Sequence, residues 1–285
     1  MQDNDITQFI IAAWAAENPR NFPAPQPVSI ERRHIPSLFT NNYIVSDKTD
    51  GVRQLLVCRG SVCTFVNRSF ESRTANIQLP KCTEMGTILD GELLSDGTYI
   101  VYDVVMMAGH STIAYRLPRR HRFIRELLYR TKDPKIKLKK FYKIKDFDYF
   151  CNDVLSNVGY KTDGLIFIPV DEPVKSGTQF TMFKWKPMEM NTIDFSMKKR
   201  PDGKIGMYIQ DRGMMIFQQF YEGDGINGFN NNMIMESKLI DNKWVPIFER
   251  KDKNYPNSRF TFYKTLKNIK ENIQITEFMP INHVS

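Results

Sequence analysis

Short β-rich runs separated by glycine-containing turns fill much of the chain after residue 42, and they constrain its fold more than any other feature. Four of these runs form two neighbouring pairs, 52–58 with 61–68 and 87–94 with 98–107. The turns that separate them contain Gly60 and Gly97. Because short glycine turns join antiparallel neighbours, each pair predicts a β-hairpin.

Helices and further strands surround these hairpins. The sequence predicts a short N-terminal helix up to Ala16 and a proline-rich extended arm over 18–29. Two more helices and two more strands are predicted, at 118–130, 146–157, 164–170 and 181–186. Mixed but segregated elements of this kind indicate an α+β protein.

After Pro187 the pattern changes to short strands with closely spaced turns at 201–203, 211–213 and 223–225. That spacing is typical of a small β-barrel. We therefore expect two domains, at 1–190 and 191–285, with the terminal helix at 264–285 placed either on the barrel or back against the first domain.

Composition excludes several classes of protein. The 285 residues are 41% apolar, which is enough for a sizeable core. No apolar run approaches the roughly 20 residues of a membrane span, and no signal peptide is recognisable. The four cysteines lack the spacing of a zinc site or a disulfide framework. We expect a soluble, intracellular protein that is not secreted and does not contact membranes.

Positive charge is concentrated in one segment. The chain has a net charge of +8, yet residues 116–145 alone hold six Arg and seven Lys against Glu126 and Asp133, a net charge of +11. The segment includes an apolar helical stripe with arginines on the other face. A basic block of this kind favours contact with a polyanion such as nucleic acid.

The tetrapeptide Lys-Thr-Asp-Gly occurs twice, at 48–51 and 161–164. A lysine amine is a nucleophile only when it is partly deprotonated, and neighbouring cations such as Arg53 favour that state. Lys48 lies where a strand meets an Asp-Gly turn, whereas Lys161 precedes an apolar strand. The sequence therefore predicts that Lys48 is the reactive lysine and that Asp163 is the functional residue of the second copy.

A series of further motifs follows the first copy in a specific order. The motifs are KTDGVR at 48–53, Arg68 at a hairpin strand end, DGEL at 90–93, YD at 102–103, DGLI at 163–166, FKWKP at 183–187 and RKDK at 250–253. This series resembles the covalent lysine nucleotidyltransferases, which include polynucleotide ligases and mRNA capping enzymes. It is most similar to the compact guanylyltransferases of large DNA viruses such as chlorella virus.

The resemblance implies a fold and a reaction. It implies a nucleotidyltransferase domain of the ligase and capping-enzyme type with antiparallel sheets, followed by a C-terminal OB-fold barrel. Lys48 would attack the α-phosphate of GTP, release pyrophosphate and hold GMP as a phosphoramidate. A 5′-diphosphate RNA would then accept the GMP and form the GpppN cap.

The resemblance also implies individual roles. Arg68 and Glu92 would hold the ribose, Tyr102 would stack on the base, and Lys143 would donate to guanine O6. Asp163 would support the metal and the phosphates, and Glu92 would join it at the metal. Further contacts with GTP are implied for Thr49 and Arg53. The residues that match the family's clamp in the second domain are Arg250, which would be catalytic, and Asp252 and Lys253, which would bind GTP.

A role for Lys184 and Lys186 at the α-phosphate also follows from strand geometry, independently of the resemblance. Alternate residues of a strand point to the same side, so both amines can meet the charge that develops on a pentacoordinate phosphorus. A divalent cation with oxygen ligands, Mg²⁺ or Mn²⁺, would neutralise the triphosphate. An RNA triphosphatase and a cap methyltransferase on other chains or domains are implied partners. The implied location is the host nucleus or a viral cytoplasmic factory.

Two alternatives stay open. An ATP-dependent polynucleotide ligase shares KxDG and RxDK, but ligases usually carry Glu two residues before the lysine and an aromatic residue or leucine after it. Here those positions hold Ser46 and Thr49. A non-catalytic module is the second alternative, in which the barrel binds single-stranded RNA through basic and aromatic surface.

Overall fold

The chain forms two compact units in a computed structural model that describes residues 3–15, 22–223, 225–226, 228–251 and 253–280. Unit 1 comprises Met1–Trp185 and Phe278–Ser285, and unit 2 comprises Lys186–Glu277. The division therefore falls after Trp185, and the last residues of the chain belong with the first unit.

Five α-helices are present in the described residues. They are α1 (Asp3–Trp14), α2 (Ile35–Thr40), α3 (Leu117–Arg130), α4 (Phe147–Tyr149) and α5 (Arg259–Glu271). The predicted helix at 118–130 is confirmed as α3. The helix predicted at 146–157 is shorter, since α4 passes into a π-helical turn at Phe150–Val154 and a 3₁₀ turn at Leu155–Asn157. Polar Asn152 and Asp153 and β-branched Val154 are poor residues for a helix interior, which accounts for the break.

Strands make up most of the rest. In unit 1 they are β1 (Gln26–Ser29), β2 (Tyr43–Thr49), β3 (Val52–Arg59), β4 (Val62–Val66), β5 (Ser72–Thr74), β6 (Thr87–Leu93), β7 (Tyr99–Met107), β8 (His110–Ser111), β9 (Ile136–Leu138), β10 (Tyr142–Lys143), β11 (Thr162–Pro169) and β12 (Thr178–Trp185). In unit 2 they are β13 (Thr192–Lys199), β14 (Ile205–Asp211), β15 (Met214–Phe220), β16 (Ile234–Ile240) and β17 (Lys243–Glu249).

Unit 1 contains two sheets, with strand orders β1-β12-β11-β2-β10 and β5-β4-β3-β6-β7-β8. Strand β9 joins the second sheet beside β7. The two predicted hairpins are confirmed as antiparallel β3–β4 and β6–β7. The chain passes from one sheet to the other at Asp50-Gly51, because β2 belongs to the first sheet and β3 to the second.

The second sheet is covered on both faces. Leu56 of β3 packs in a core with Ile124 of α3, whereas Leu55 packs in a second core with Ile10 of α1. A strand that is buried on both faces has a continuous apolar run, which explains the sequence of residues 55–58.

The basic helix α3 departs from the predicted pattern at one arginine. Arg120 is buried, and its Nε and Nη2 donate to Oδ1 and Oδ2 of Asp103 at 2.7 and 2.9 Å. Arg119, Arg122 and Arg125 are exposed. Arg120 is therefore not available to a polyanion, since its charge is already neutralised inside the unit.

Unit 2 is a five-stranded antiparallel sheet in the order β15-β14-β13-β16-β17. Its edge strands are bridged by Gln219, whose side chain donates to the carbonyl of Trp244 at 2.8 Å and accepts from the amide of Trp244 at 2.9 Å. Phe262 of α5 packs against Trp244 with ring centroids 5.8 Å apart. The approach of the two edge strands is what a partly open barrel needs, and the OB-fold stays a prediction. The α+β fold class is confirmed.

Candidate active site

A cavity lies between the two sheets of unit 1, beside the point where the chain crosses from one to the other. Charged, aromatic and apolar side chains from both sheets line it. Its lining residues include Asp47, Lys48, Thr49, Arg53, Arg68, Asp90, Glu92, Tyr102, Asp103, Lys139, Phe141, Ile166, Ile168 and Met182. The structure thus brings together most of the site residues that the sequence predicts in the first 185 positions.

The two Lys-Thr-Asp-Gly copies are neighbours in space. Strands β2 and β11 pair antiparallel with Thr49 opposite Thr162, and a register shift follows in β11 between Thr162 and Leu165. At this irregularity Gly164 has φ +143°. Asp163 lies in the bulge, and its Oδ1 accepts a hydrogen bond from Lys48 Nζ at 2.6 Å. One copy therefore supplies the lysine and the other supplies the carboxylate that holds it.

Lys161 has a different environment. Its side chain is exposed, and its carbonyl accepts a hydrogen bond from the amide of Asp50 at 2.9 Å. It is not among the residues that line the cavity. Lys161 therefore joins the two copies through its backbone, and its side chain is directed elsewhere.

Arg53 is a buried structural cation. Its Nε and Nη2 donate to the carboxylate of Asp90 at 3.0 and 2.6 Å, and its Nη1 donates to the carbonyl of Pro25 at 2.7 Å. Asp90 and its neighbours hold the pKa of the Arg53 guanidinium above its ordinary value, although burial acts in the opposite sense. The guanidinium also lies 5.7 Å from the centroid of the Tyr102 ring. Arg53 thus fixes the cavity wall to which Tyr102 belongs.

Glu92 has a carboxyl group whose pKa is raised above its ordinary value. Burial raises the pKa of Glu92 to about 7, and the nearby charges of Lys48, Arg53 and Arg68 act against this rise. Arg68 itself is exposed in the turn that follows β4, as expected for a residue at the end of a hairpin strand. Glu92 and Lys48 therefore interact across the cavity.

Gly51 has a steric reason to be glycine. A Cβ atom there would lie 2.8 Å from Glu92 Cγ and 2.8 Å from the carbonyl oxygen of Leu93. The β2–β3 corner is thus pressed against β6. Gly51 therefore allows both the passage of the chain from β2 to β3 and the position of Glu92 beside it.

A buried cluster behind Lys48 is absent from the sequence prediction. Lys139 Nζ donates to Asp47 Oδ2 and to Thr49 Oγ1, and the Tyr160 hydroxyl lies 3.3 Å from Asp47 Oδ1. Burial lowers the pKa of Lys139, and Asp47 opposes that shift. Thr49 is therefore engaged by the protein, and its predicted contact with a nucleotide stays a prediction.

Lys143 is not brought to the cavity. It is an exposed residue at the end of β10, paired with Ile44 of β2, and it is not among the lining residues. The lysine of this basic segment that does line the cavity is Lys139. The predicted contact of Lys143 with the base stays a prediction.

Lys184 lies on the cavity side of β12. It is directly opposite Ile166 of β11, and Ile166 and Met182 both line the cavity. Opposite residues of a pair, and alternate residues of a strand, share one face of a sheet. Lys184 thus shares the face that borders the cavity, and Lys186 follows the end of β12.

The last motif lies in unit 2, where acidic side chains hold it. Arg250 Nη1 lies 2.9 Å from Glu236 Oε2 and 3.4 Å from Asp194 Oδ1, and Lys253 Nζ donates to Asp194 Oδ2. Asp252 lies outside the described residues. Both cations are thus oriented by carboxylates of the barrel.

The cavity thus contains a lysine whose amine donates to a carboxylate, together with a second carboxylate, guanidinium groups and a phenol ring. Nucleotidyl transfer requires groups of these kinds. Residues 1–188 match the family described as mRNA capping enzyme, catalytic domain. The chain belongs to the mRNA capping enzyme family, and the resemblance seen in its motifs is confirmed.

Curated relatives agree with this assignment. The chain is similar to the mRNA-capping enzyme of Danio rerio, with 29% identity over 273 residues that cover 83% of this chain and 45% of that protein. It is also similar to the mRNA-capping enzyme subunit alpha of Schizosaccharomyces pombe, with 28% identity over 342 residues that cover 98% of this chain and 85% of that protein. The chain thus spans about half the length of the zebrafish enzyme and most of the yeast subunit.

Among solved structures, the chain is similar to a mycobacterial DNA ligase D complexed with ATP and MES. The TM-score is 0.47 at 15% identity, covering 74% of this chain and 90% of that one. A likeness this remote does not distinguish a ligase from a capping enzyme.

Proposed function

We propose that this protein is an mRNA guanylyltransferase that transfers GMP from GTP, through a covalent Lys48–GMP intermediate, to the 5′-diphosphate end of RNA. The observation that carries the proposal is the hydrogen bond of 2.6 Å between Lys48 Nζ and Asp163, in a cavity beside Glu92 and Tyr102. Membership of the capping enzyme family supports the choice of GTP and RNA as substrates.

In the first half-reaction, Lys48 Nζ releases a proton to solvent and forms a bond to the α-phosphorus. The bond from that phosphorus to the bridging oxygen breaks, and its electron pair leaves with pyrophosphate. Asp163 orients the amine through its hydrogen bond, and orientation alone supplies a large part of such a rate enhancement. In the second half-reaction, a terminal phosphate oxygen of the RNA displaces Lys48 from the same phosphorus.

Lys184 and Lys186 are proposed to stabilise the charge on the α-phosphate oxygens during both steps. The placement of Lys184 on the face that borders the cavity supports its part in this role. Replacing either lysine with alanine should slow adduct formation about 10²-fold, with a much smaller loss of GTP affinity. Single-turnover rates within threefold of wild type would remove these lysines from the mechanism.

Recognition of the nucleoside is proposed to use one aromatic ring, one carboxylate and two cations. Tyr102 would stack on guanine, and Arg68 and Glu92 would bind the ribose. Guanine presents an O6 acceptor where adenine presents an amino donor, so a lysine donor favours GTP. Lys143 is the proposed donor, because the Nζ of Lys139, which lines the cavity, already donates to Asp47, Thr49 and Tyr160.

A divalent cation fits the donor set in part. No group of three or more His, Cys, Asp or Glu side chains is placed to hold a metal anywhere in the described ranges. Mg²⁺ usually takes one or two carboxylates and completes its shell with phosphate oxygens and water. Asp163 and Glu92 would provide the carboxylates, and the bound cation would neutralise the triphosphate.

Arg250, Asp252 and Lys253 are proposed to orient the β- and γ-phosphates. This role makes a step-specific prediction, because those phosphates have left before RNA is guanylylated. Arg250→Ala should lose the reaction with GTP and keep transfer of GMP from pre-formed adduct to RNA. A wild-type rate of adduct formation in this variant would exclude the role.

The remaining proposals concern the setting of the reaction. A triphosphatase must supply the diphosphate end and a methyltransferase would act on the cap, each on another chain or domain. No helix in the described part of the chain is long and apolar enough to cross a membrane. Action inside the cell, in a nucleus or a viral factory, is the setting we propose, and a viral source stays a prediction.

One experiment tests the proposed function. The protein is incubated with Mg²⁺ and either α-labelled GTP or α-labelled ATP, denatured, and examined for label that stays on the chain. Label from GTP that moves to 5′-diphosphate RNA on chase is the expected result. Label from ATP would favour a polynucleotide ligase, and no label from either nucleotide would leave only a non-catalytic RNA-binding module.

A further inference from the structure

An aromatic surface on unit 2 has no part in the proposed chemistry. Three rings lie together on strands β14 and β15, and we call them the aromatic row: Tyr208, Phe217 and Phe220. The centroids of Tyr208 and Phe217 are 5.7 Å apart, and those of Phe217 and Phe220 are 4.9 Å apart. Phe217 is 38% exposed. Solvent therefore reaches a contiguous group of rings.

The sheet places these rings on one side by register. Tyr208 pairs directly with Phe217, and Gly206 pairs with Phe220. The intervening Met207 is buried in the core of the barrel. Alternate residues of a strand point to opposite faces, so the aromatic row lies on the face away from that core.

Gly206 allows Tyr208 to fold down onto the sheet. A Cβ at Gly206 would lie 2.7 Å from Tyr208 Cε2 and 2.9 Å from its hydroxyl oxygen. The Tyr208 ring therefore occupies the place of the missing side chain. A tyrosine in this position presents ring surface close to the backbone, where a flat ligand can approach.

Three cations border the rings, and we call them the cationic rim: Lys198, Arg200 and Lys204. Lys198 lies 5.8 Å from the Tyr208 centroid. Arg200 lies 5.6 Å from Phe217 and 5.4 Å from Phe220, and Lys204 lies 5.2 Å from Phe220. Exposed cation–π contacts stabilise a protein by only about 0.5–1 kcal/mol each. Stability alone therefore does not account for the clustering of these cations around the rings.

Acidic side chains near the rim do not cancel its charge. Asp202, in the turn between β13 and β14, approaches Arg200 at 3.9 Å. Glu222 is paired with Lys243 at 2.6 Å. The surface is thus aromatic and net positive, which is the combination that binds single-stranded nucleic acid through stacked bases and neutralised phosphates.

We infer that the aromatic row and the cationic rim form a binding surface for single-stranded RNA, separate in its chemistry from the reaction at the 5′ end. Bases would stack on Phe217 and its neighbours, and the rim would neutralise phosphates without reading sequence. The inference extends the proposed function, because the proposed acceptor is RNA, but it does not depend on formation of the Lys48 adduct.

The test uses an RNA that cannot be a substrate, a 5′-hydroxyl oligouridylate of 20 nucleotides with a 3′ fluorophore. Its binding to the full chain is measured by anisotropy over a range of salt concentrations. Phe217→Ala should weaken binding about tenfold at every salt concentration, since it removes one stacking platform. Arg200→Gln should weaken binding most at low salt and reduce the slope of log affinity against log salt by about 0.7.

A matched control comes from the same unit. Phe260 on α5 is 72% exposed and lies 5.8 Å from Lys264, so Phe260→Ala removes a ring with a similar cation contact outside the aromatic row. It should bind the oligouridylate as the wild type does. If Phe217→Ala lowers the melting temperature, Phe217→Leu keeps the apolar volume and removes only the ring, and it should show the same loss of binding.

Wild-type binding by both Phe217 variants would overturn the inference, and so would equal losses in the Phe260 control. Binding of an acidic peptide in place of the RNA, with the same dependence on Phe217, would assign the surface to a protein partner instead. GTP labelling is measured in parallel on each variant. Failure of the labelling reaction with intact RNA binding would refute the proposed function and leave this inference standing.

Discussion

Two regions of this chain share the residues Lys-Thr-Asp-Gly, yet the backbone gives them different roles. At 48–51 the tetrapeptide ends a strand and carries the chain from one sheet to the other. At 161–164 it enters a strand and contains a register shift. Identical residues therefore supply a lysine that lines the cavity in one region and, in the other, the carboxylate that holds this lysine.

The difference shows that a short motif acquires its chemistry from the strand around it. Lys48 follows Asp47 on a strand whose end borders the cavity, whereas Lys161 precedes the strand and is exposed. Asp163 reaches Lys48 because the irregularity at Gly164 turns its side chain out of the regular alternation. Each copy thus contributes one of the two groups that meet at 2.6 Å.

The largest expected effect on adduct formation comes from replacing Lys48, and the matched replacement of Lys161 is its control. Lys48→Ala and Lys48→Arg should both abolish the covalent adduct, because alanine has no amine and a guanidinium stays protonated. Lys161→Ala should retain adduct formation, since its side chain does not line the cavity. Labelling with α-labelled GTP checks both. Retained label in Lys48→Ala, with none in Lys161→Ala, would reverse the comparison.

The two aspartates give the second test. Asp163→Asn should slow adduct formation about 10²-fold, because the amine loses its charged acceptor and its fixed orientation. Asp50→Asn is the matched control, since Asp50 is exposed and contacts the second copy through its backbone amide. Its single-turnover rate should stay close to wild type. Equal rates in the two variants would show that the ion pair of Lys48 and Asp163 has no role in the reaction.

The two copies also show how far sequence reasoning reaches. The order of motifs identified Lys48, Glu92, Tyr102 and Asp163 because family spacing fixes them, and the cavity contains the first three while Asp163 holds Lys48. The crossing between sheets at Asp50-Gly51 could not be predicted, because strands of both sheets have the same alternation. The sequence did contain a signal for Arg53. It lies on strand β3 just before the apolar run 55–58, and a buried guanidinium needs a carboxylate partner.

Lys139 shows a different limit. It lies in a segment where lysines recur at 135, 137, 139, 140, 143 and 145. Nothing in that spacing distinguishes the one lysine that is buried against Asp47 from those in solvent. Burial of a single charge depends on a partner distant in sequence, so only the folded chain reveals it.

The glycine of the first region provides the third test. Gly51→Ala should lower the free energy of unfolding by about 1–3 kcal/mol and slow adduct formation, because its Cβ would press on Glu92 and Leu93. Gly213→Ala is a suitable control, since Gly213 has φ +84° and open space around it. That variant should lose about 1 kcal/mol through backbone strain and keep the wild-type labelling rate. Chemical denaturation and single-turnover labelling measure the two effects, and wild-type values for Gly51→Ala would contradict the steric argument.

The smallest effect concerns the ionisation of Glu92. Its pKa is raised to about 7 by burial, and Lys48 is the first of the charges that hold it down. Removing that charge in Lys48→Ala should raise the pKa of Glu92 by roughly 0.5–1 unit, whereas Lys161→Ala should leave it unchanged. Carbon-13 NMR of the glutamate carboxyl groups, assigned with Glu92→Gln, reports these shifts directly.

The same shift has a defined consequence for stability. A carboxyl group with a raised pKa in the folded state favours folding when it is protonated, so its contribution is complete below about pH 4.5 and is lost as the pH rises to about 7. Glu92→Gln should remove this decline, and its free energy of unfolding should gain on the wild type by about 1–3 kcal/mol between pH 4.5 and 8. In Lys48→Ala the decline should extend to higher pH, because the pKa of Glu92 is higher there. Denaturant titrations at several pH values test this, and an identical pH profile for wild type and Glu92→Gln would show that Glu92 is not the buried carboxyl group that responds to Lys48.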